Sequence, residues 1–164
     1  MHQVFSDVEG LRIAVEMERR GEDFYRRAAR VSRTQETVSL LNALADDETM
    51  HCREFQRLHD IACARKEEHG EEVYDDETNA YLTAIAAEIV FPQGLMGLRS
   101  EGFENPQAVL MHAINSEKDS ILFYSELKER AADEDARKVF DEIIRQERGH
   151  MFRLQRQLNF LVNT

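Results

Sequence analysis

Proline occurs only twice in the 164 residues and glycine only seven times, so little in the chain interrupts a long helix. Cysteine also occurs twice, too few for a disulfide scaffold. Cys52 and Cys63 fall on one expected helix, roughly 16 Å apart along its axis, which is beyond the reach of a bridge within the chain. With no Cys-x-x-Cys pair present, a reducing cytoplasm is the expected location. The sequence has no apolar run of the ~18 residues that a membrane-spanning helix needs. Its first residues, MHQVFSDVEG, lack the basic region and apolar stretch of a secretory signal. Positive charge is in deficit, 21 Lys and Arg against 32 Asp and Glu for a net charge of −11. A phosphate backbone needs a basic surface, so nucleic acid is not an expected partner.

What is present is a helix former's composition, 42% hydrophobic and 32% charged, in a chain of a size to form one core. Four long segments carry apolar residues at helical spacing, over about 4–31, 35–64, 106–130 and 134–161. Ser6 with Glu9, Thr34, Asn105 followed by Pro106, and Asp133 each suit a helix start. The links within the first pair and within the second are a few residues long, which makes antiparallel neighbours. Between the pairs, about 65–104 forms a long connection that opens on the charged run RKEEHGEE. This connection carries a short helix at about 76–90 and a Pro92-Gln93-Gly94 breaker. The expected architecture is all-α, with 1–164 as one domain: a four-helix bundle of two antiparallel hairpins joined by a long crossover containing a short helix.

Adding 99 to positions in the first hairpin exposes an internal repeat. Leu11 falls on Leu110, Ala14 on Ala113, Glu18 on Glu117, Phe24-Tyr25 on Phe123-Tyr124, Glu48 on Glu147, His51 on His150, and Gln56-Arg57 on Gln155-Arg156. A two-fold repeat of this length predicts a pseudo-two-fold bundle, with equivalent side chains facing each other across its axis.

The repeated residues include an unusual set of charges on apolar faces. Residues i and i+3 share one face of a helix, so Glu48 and His51 lie beside Leu41 and Leu44, and Glu147 and His150 beside Phe140 and Ile143. Glu18 continues the stripe of Leu11, Ala14 and Val15, and Glu117 that of Leu110, Ala113 and Ile114. Four buried carboxylates without cationic partners are very costly, and two divalent cations would neutralise them. Glu18, Glu48, His51, Glu117, Glu147 and His150 are therefore the expected ligands of a dinuclear site. Carboxylates with one imidazole per metal suit iron or manganese, with zinc also compatible. A lone Glu-x-x-His is usually a solvated surface pair. Two of them, each preceded 30 residues earlier by a glutamate on an apolar stripe, are hard to obtain by accident.

Tyr25 and Tyr124 follow Glu18 and Glu117 by seven residues and are candidates to hydrogen-bond a ligating carboxylate or to be core tyrosines satisfied elsewhere. His2, His59, His69 and His112 have no repeat partners and are read as non-ligands. Met17, Met50, Met111 and Met151 are read as packing residues. Glu22 lies one turn from Glu18 but has no counterpart in the second half.

The motifs Ala14-Val15-x-x-Glu18 with Phe24-Tyr25, Leu44-Ala45-x-x-Glu48-x-x-His51, Ala113-Ile114-x-x-Glu117 with Phe123-Tyr124, and Ile143-x-x-x-Glu147-x-x-His150 resemble those of the ferritin-like diiron carboxylate superfamily, and within it the rubrerythrin-like proteins. The resemblance implies a non-haem site for two iron ions that reduces peroxide or oxygen with electrons from an external donor protein, in an expected homodimer. Ferroxidase chemistry for iron storage or handling is the alternative that the likeness to ferritins implies. A vestigial site in an interaction module is a third reading. Two departures bear on the activity. Rubrerythrins usually carry a rubredoxin domain with paired Cys-x-x-Cys motifs, which these residues lack. They also carry an extra glutamate three residues after the third-helix ligand, where this chain has Ser120.

Overall fold

The computed structural model of the protein describes residues 4–90 and 100–164, without the side chains of 88–90, 100 and 101. The four expected capping residues each close a first helical turn. Ser6 accepts from Glu9 N ahead of α1 (Asp7–Val31), and Thr34 accepts from Thr37 N ahead of α2 (Gln35–His69). After α3 (Asp76–Val90) and the single turn α4 (Ser100–Phe103), Asn105 accepts from Gln107 N and Ala108 N to start α5 (Pro106–Arg130). Asp133 accepts from Asp135 N to start α6 (Glu134–Val162). Each cap satisfies an amide that the helix itself leaves without a partner.

The elements form an all-α bundle. Helices α1 and α2 pack along each other as one hairpin and α5 and α6 as the other, and the hairpins meet through α1 against α5 and α2 against α6. Among the described residues no helix is long and apolar enough to cross a membrane. The crossover carries the expected helix over 76–90, which lies on α5 and touches α1. The Pro92-Gln93-Gly94 breaker lies outside the described residues, as does His2.

Two boundaries differ from the sequence reading. Helix α2 continues to His69 rather than stopping near residue 64, because Arg65-Lys66-Glu67-Glu68 are good helix formers. It stops at Gly70, whose φ of 81° only glycine adopts without strain. Helix α1 starts at Asp7, not at residue 4, because Ser6 is extended and both Phe5 and Ser6 are tied to the crossover. Ser6 bridges Val73, Tyr74 N donates to Phe5 O at 2.8 Å, Phe5 N donates to Asn79 Oδ1 at 2.7 Å, and the Tyr74 hydroxyl donates to Asp7.

The apolar interior comes in two blocks. One contains Leu11, Ile13, Phe55, Leu58, Phe123, Leu127, Phe140 and Ile144. The other contains Phe24, Ala28, Leu41, Leu44, Leu110, Ala113 and Leu154. In each of the four long helices, the positions between the two blocks carry the charged residues of the repeat. Of the methionines, Met17 is buried in the first block, whereas Met50 and Met111 are exposed, a correction to their reading as packing residues.

Candidate metal centre

Between the apolar blocks, Glu18, Glu48, His51, Glu117, Glu147 and His150 are each 4% exposed or less. They converge as two overlapping sets. Glu18, Glu48, His51 and Glu147 bring one ligand atom each within 4.8 Å of one another, and Glu48, Glu117, Glu147 and His150 do the same. Glu48 and Glu147 belong to both sets. Glu18 with His51, and Glu117 with His150, belong to one set each. Each set thus takes three residues from one hairpin and one from the other.

The central carboxylates span the two sets oxygen by oxygen. Glu147 places Oε1 at 3.0 Å from His51 Nδ1 and Oε2 at 2.9 Å from His150 Nδ1. Glu48 places Oε2 at 3.6 Å from His51 Nδ1 and Oε1 at 3.3 Å from His150 Nδ1. Glu18 lies 3.4 Å from His51 Nδ1, and Glu117 lies 3.4 Å from His150 Nδ1. The two imidazole rings lie nearly parallel with centroids 5.7 Å apart. Despite this crowding, Glu18 Oε2, both oxygens of Glu147 and both Nδ1 atoms are buried without an aligned hydrogen bond. Buried polar atoms are almost always paired. Lone pairs aimed at shared points instead of at donors are what metal ligands look like, and the donor set of carboxylates with one imidazole per position suits iron or manganese.

The outer atoms of the site are tied down across the hairpins. The Tyr25 hydroxyl on α1 donates to Glu117 Oε1 on α5, and the Tyr124 hydroxyl on α5 donates to Glu18 Oε1 on α1 at 2.5 Å. Both tyrosines therefore reach a carboxylate, each on the opposite hairpin from its own. The imidazoles cross in the same way. His51 Nε2 lies 2.7 Å from Gln146 Oε1 on α6, and His150 Nε2 lies 3.1 Å from Asp47 Oδ2 on α2. Both partners accept, so each Nε2 must carry the proton, and each Nδ1 faces the carboxylates.

Without metal, protons take over the neutralisation. Burial raises the Glu48 carboxyl well above its ordinary value, and Glu147 and Glu18 raise it further. Burial and Glu147 do the same to Glu117. Burial opposes the charged form of both imidazoles, but the surrounding carboxylates outweigh it and raise His51 and His150 far above their ordinary value. Burial would also raise Glu147, but the Glu117 carboxyl and the His150 and His51 imidazoles beside it reverse this and hold it below the usual carboxylate range.

The remaining candidates stay outside. His59 sits against Cys63 and Asp60, His69 is exposed beside Glu68, and the His112 ring lies tilted against Phe24 with centroids 5.4 Å apart. Glu22 joins neither ligand set. Gly21 does touch the site, because a Cβ there would meet Glu48 Cγ and Cδ at 3.5 Å. Asp47 and Gln146 were not singled out from the sequence. Their signal was available, since each immediately precedes a Glu-x-x-His glutamate and they are 99 residues apart. They differ in identity, however, and a search for identical pairs passes over them.

A helical bundle whose interior holds four carboxylates and two Glu-x-x-His imidazoles defines the class of carboxylate-and-histidine metal proteins built on four helices. The rubrerythrin family profile matches residues 9–158. The chain belongs to the rubrerythrin family. It is also similar, at 26% identity and a TM-score of 0.72, to a chain from Thermotoga maritima assigned as a ferritin-like diiron-carboxylate protein, with 97% of this chain and 98% of that one covered. No curated protein sequence matches it.

Proposed function

We propose that Glu18, Glu48, His51, Glu117, Glu147 and His150 hold two iron ions and that the protein is an oxidoreductase reducing peroxide or oxygen. The observation that carries this reading is the pair of ligand sets sharing Glu48 and Glu147, with orphaned oxygens and nitrogens turned toward common points. Two divalent ions would match the four glutamates in charge. When bound, an iron pair supplies two electrons to an oxidant.

The protein's own groups have separable tasks. His51 and His150 present Nδ1 as donors because Gln146 and Asp47 hold the Nε2 protons. Glu48 and Glu147 each face both positions. Tyr25 and Tyr124 fix the rotation of Glu117 and Glu18 and keep O–H groups beside the site. Burial raises both tyrosines well above their ordinary value, with Glu117 acting on Tyr25 and Glu18 on Tyr124, so both stay protonated at neutral pH. The apolar blocks on either side exclude bulk water. We propose further that the electrons come from a donor protein in the cytoplasm and that the chain forms a homodimer.

Anaerobic ferrous loading with metal analysis, followed by stopped-flow mixing with peroxide and with oxygen separately, tests the reading. About two ions per chain, the count characteristic of such bundles, and rapid colour change with one oxidant are expected. Fewer ions, or no reaction with either oxidant, would refute it. The ferritin-like neighbour favours a second reading, ferroxidase chemistry for iron storage. A shell of many subunits by native sizing would support that reading over the first.

A further inference from the structure

The pseudo-two-fold symmetry of the site fails at the outer partners of the two imidazoles. His150 Nε2 donates to the carboxylate of Asp47, whereas His51 Nε2 donates to the amide carbonyl of Gln146. Both acceptors stand at the same repeat position, immediately before the Glu-x-x-His glutamate, and both reach across to the imidazole of the other hairpin. Their surroundings confirm that the difference is built in. Gln146 Nε2 donates to Glu142 Oε1 at 2.8 Å, which fixes the amide with its oxygen toward His51. Glu142 is itself engaged by Arg145, so a neutral amide stands between His51 and the nearest outer carboxylate. Asp47 has no such intermediary. Its Oδ2 bonds His150 directly, and the Arg153 guanidinium lies 3.8 Å away, at a half-exposed position where screening weakens its effect.

A carboxylate acceptor draws the Nε2 proton toward itself and leaves Nδ1 richer in electrons, so the imidazole becomes a stronger donor to a cation than one bonded to an amide. Asp47 also adds a formal negative charge at one remove from its side of the site only. We infer that the two metal positions are unequal and that Asp47 is the positioning residue that makes the Glu117/His150 position fill before the Glu18/His51 position. This rests on the proposed two-metal site. Changes in hydrogen-bond partners of ligating histidines alter metal affinity by about 10–100-fold, so the expected preference is about tenfold or more.

The experiment uses manganous ion alone at one equivalent per chain, with anomalous scattering from crystals giving the occupancy of each position, and calorimetric titration giving the two affinities. Occupancy concentrated beside His150 and two separated affinity steps are expected. In Asp47→Asn, the amide reproduces what Gln146 offers His51, and the preference should shrink to about twofold or less on the same scale. Gln146→Glu places a carboxylate on the other imidazole, should level the positions by the opposite route, and decides the matter if the first variant does not fold. Even filling of the unsubstituted protein, or an unchanged preference in these variants, would overturn the inference while leaving the two-metal site intact. Binding of no more than one ion at saturation would remove both.

Discussion

Deleting one oxygen at a time from the tyrosines gives the sharpest test of the site's architecture. Tyr25 and Tyr124 are 2% and 0% exposed, and each ring packs against aromatic neighbours that a phenylalanine ring would still meet. Tyr25→Phe therefore keeps the packing and removes the hydrogen bond to Glu117, and Tyr124→Phe removes the bond to Glu18. Leaving a buried acceptor without its donor costs about 1–3 kcal/mol. Tyr124→Phe is expected at the upper end, because Glu18 Oε2 already lacks an aligned bond and the substitution strips Oε1 as well. For a chain of this length, that is a fall in Tm of about 2–12 °C. The assay is urea unfolding of the chelator-treated protein followed by helical circular dichroism, with an unchanged m-value confirming that the unfolded state is unaltered. Losses within about 0.5 kcal/mol for both variants, the scale of an ordinary surface substitution, would refute the hydrogen-bond assignment. A larger loss for Tyr25→Phe than for Tyr124→Phe would refute the accounting of Glu18.

Raised folded-state values at His51 and His150 give stability that is full below about pH 6.5 and lost as pH rises through the folded values, and the raised Glu48 and Glu117 act likewise from about pH 4.3 upward. The lowered Glu147 works in the other direction, giving stability that is lost as pH falls below the ordinary carboxylate range. The metal-free protein should therefore melt highest in mildly acid buffer and progressively lower toward alkaline pH, which differential scanning calorimetry with chelator would check. The same protons must leave when metal enters, so loading in weak buffer should release acid, read with a pH indicator, and apparent affinity should rise with pH. Gly149→Ala should stabilise by about 0.5–1 kcal/mol, because a Cβ there meets nothing within 4 Å and alanine is the better helix former. Gly10→Ala should instead destabilise in the same unfolding assay, since its Cβ would come within 2.5 Å of Leu127 Cδ2 in the core.

The repeat made most of this site legible in advance. Glu18 and Glu117, or His51 and His150, are far apart along the chain, yet the 99-residue offset and the apolar stripes were enough to bring them to one place. The caps were equally readable, because Ser6, Thr34, Asn105 and Asp133 act through amides two or three residues away. What the sequence withheld depends on contacts between distant segments. Nothing near Phe5 or Ser6 announces that they pair with Val73, Tyr74 and Asn79 of the crossover. Similarly, helical spacing places Tyr25 on the face of Glu18 but cannot say that its hydroxyl will meet Glu117, since that depends on how the hairpins sit against each other. Gln146 escaped notice for a different reason: an amide beside a carboxylate motif looks like any solvated glutamine until its partner across the interface is known.

The crossed bonds have a consequence for assembly. Tyr25 to Glu117, Tyr124 to Glu18, His51 to Gln146 and His150 to Asp47 all run from one hairpin to the other, and each ligand set borrows a central glutamate from the opposite side. A lone hairpin would own three ligands and a tyrosine but none of the crossed bonds that hold their outer atoms. The metal pocket is thus a property of the seam, and it comes into being only when the halves close. An occupied seam would act as a clasp, so that the hairpins part only after the ions depart, and the rate at which a chelator strips the protein would report how often the halves come open.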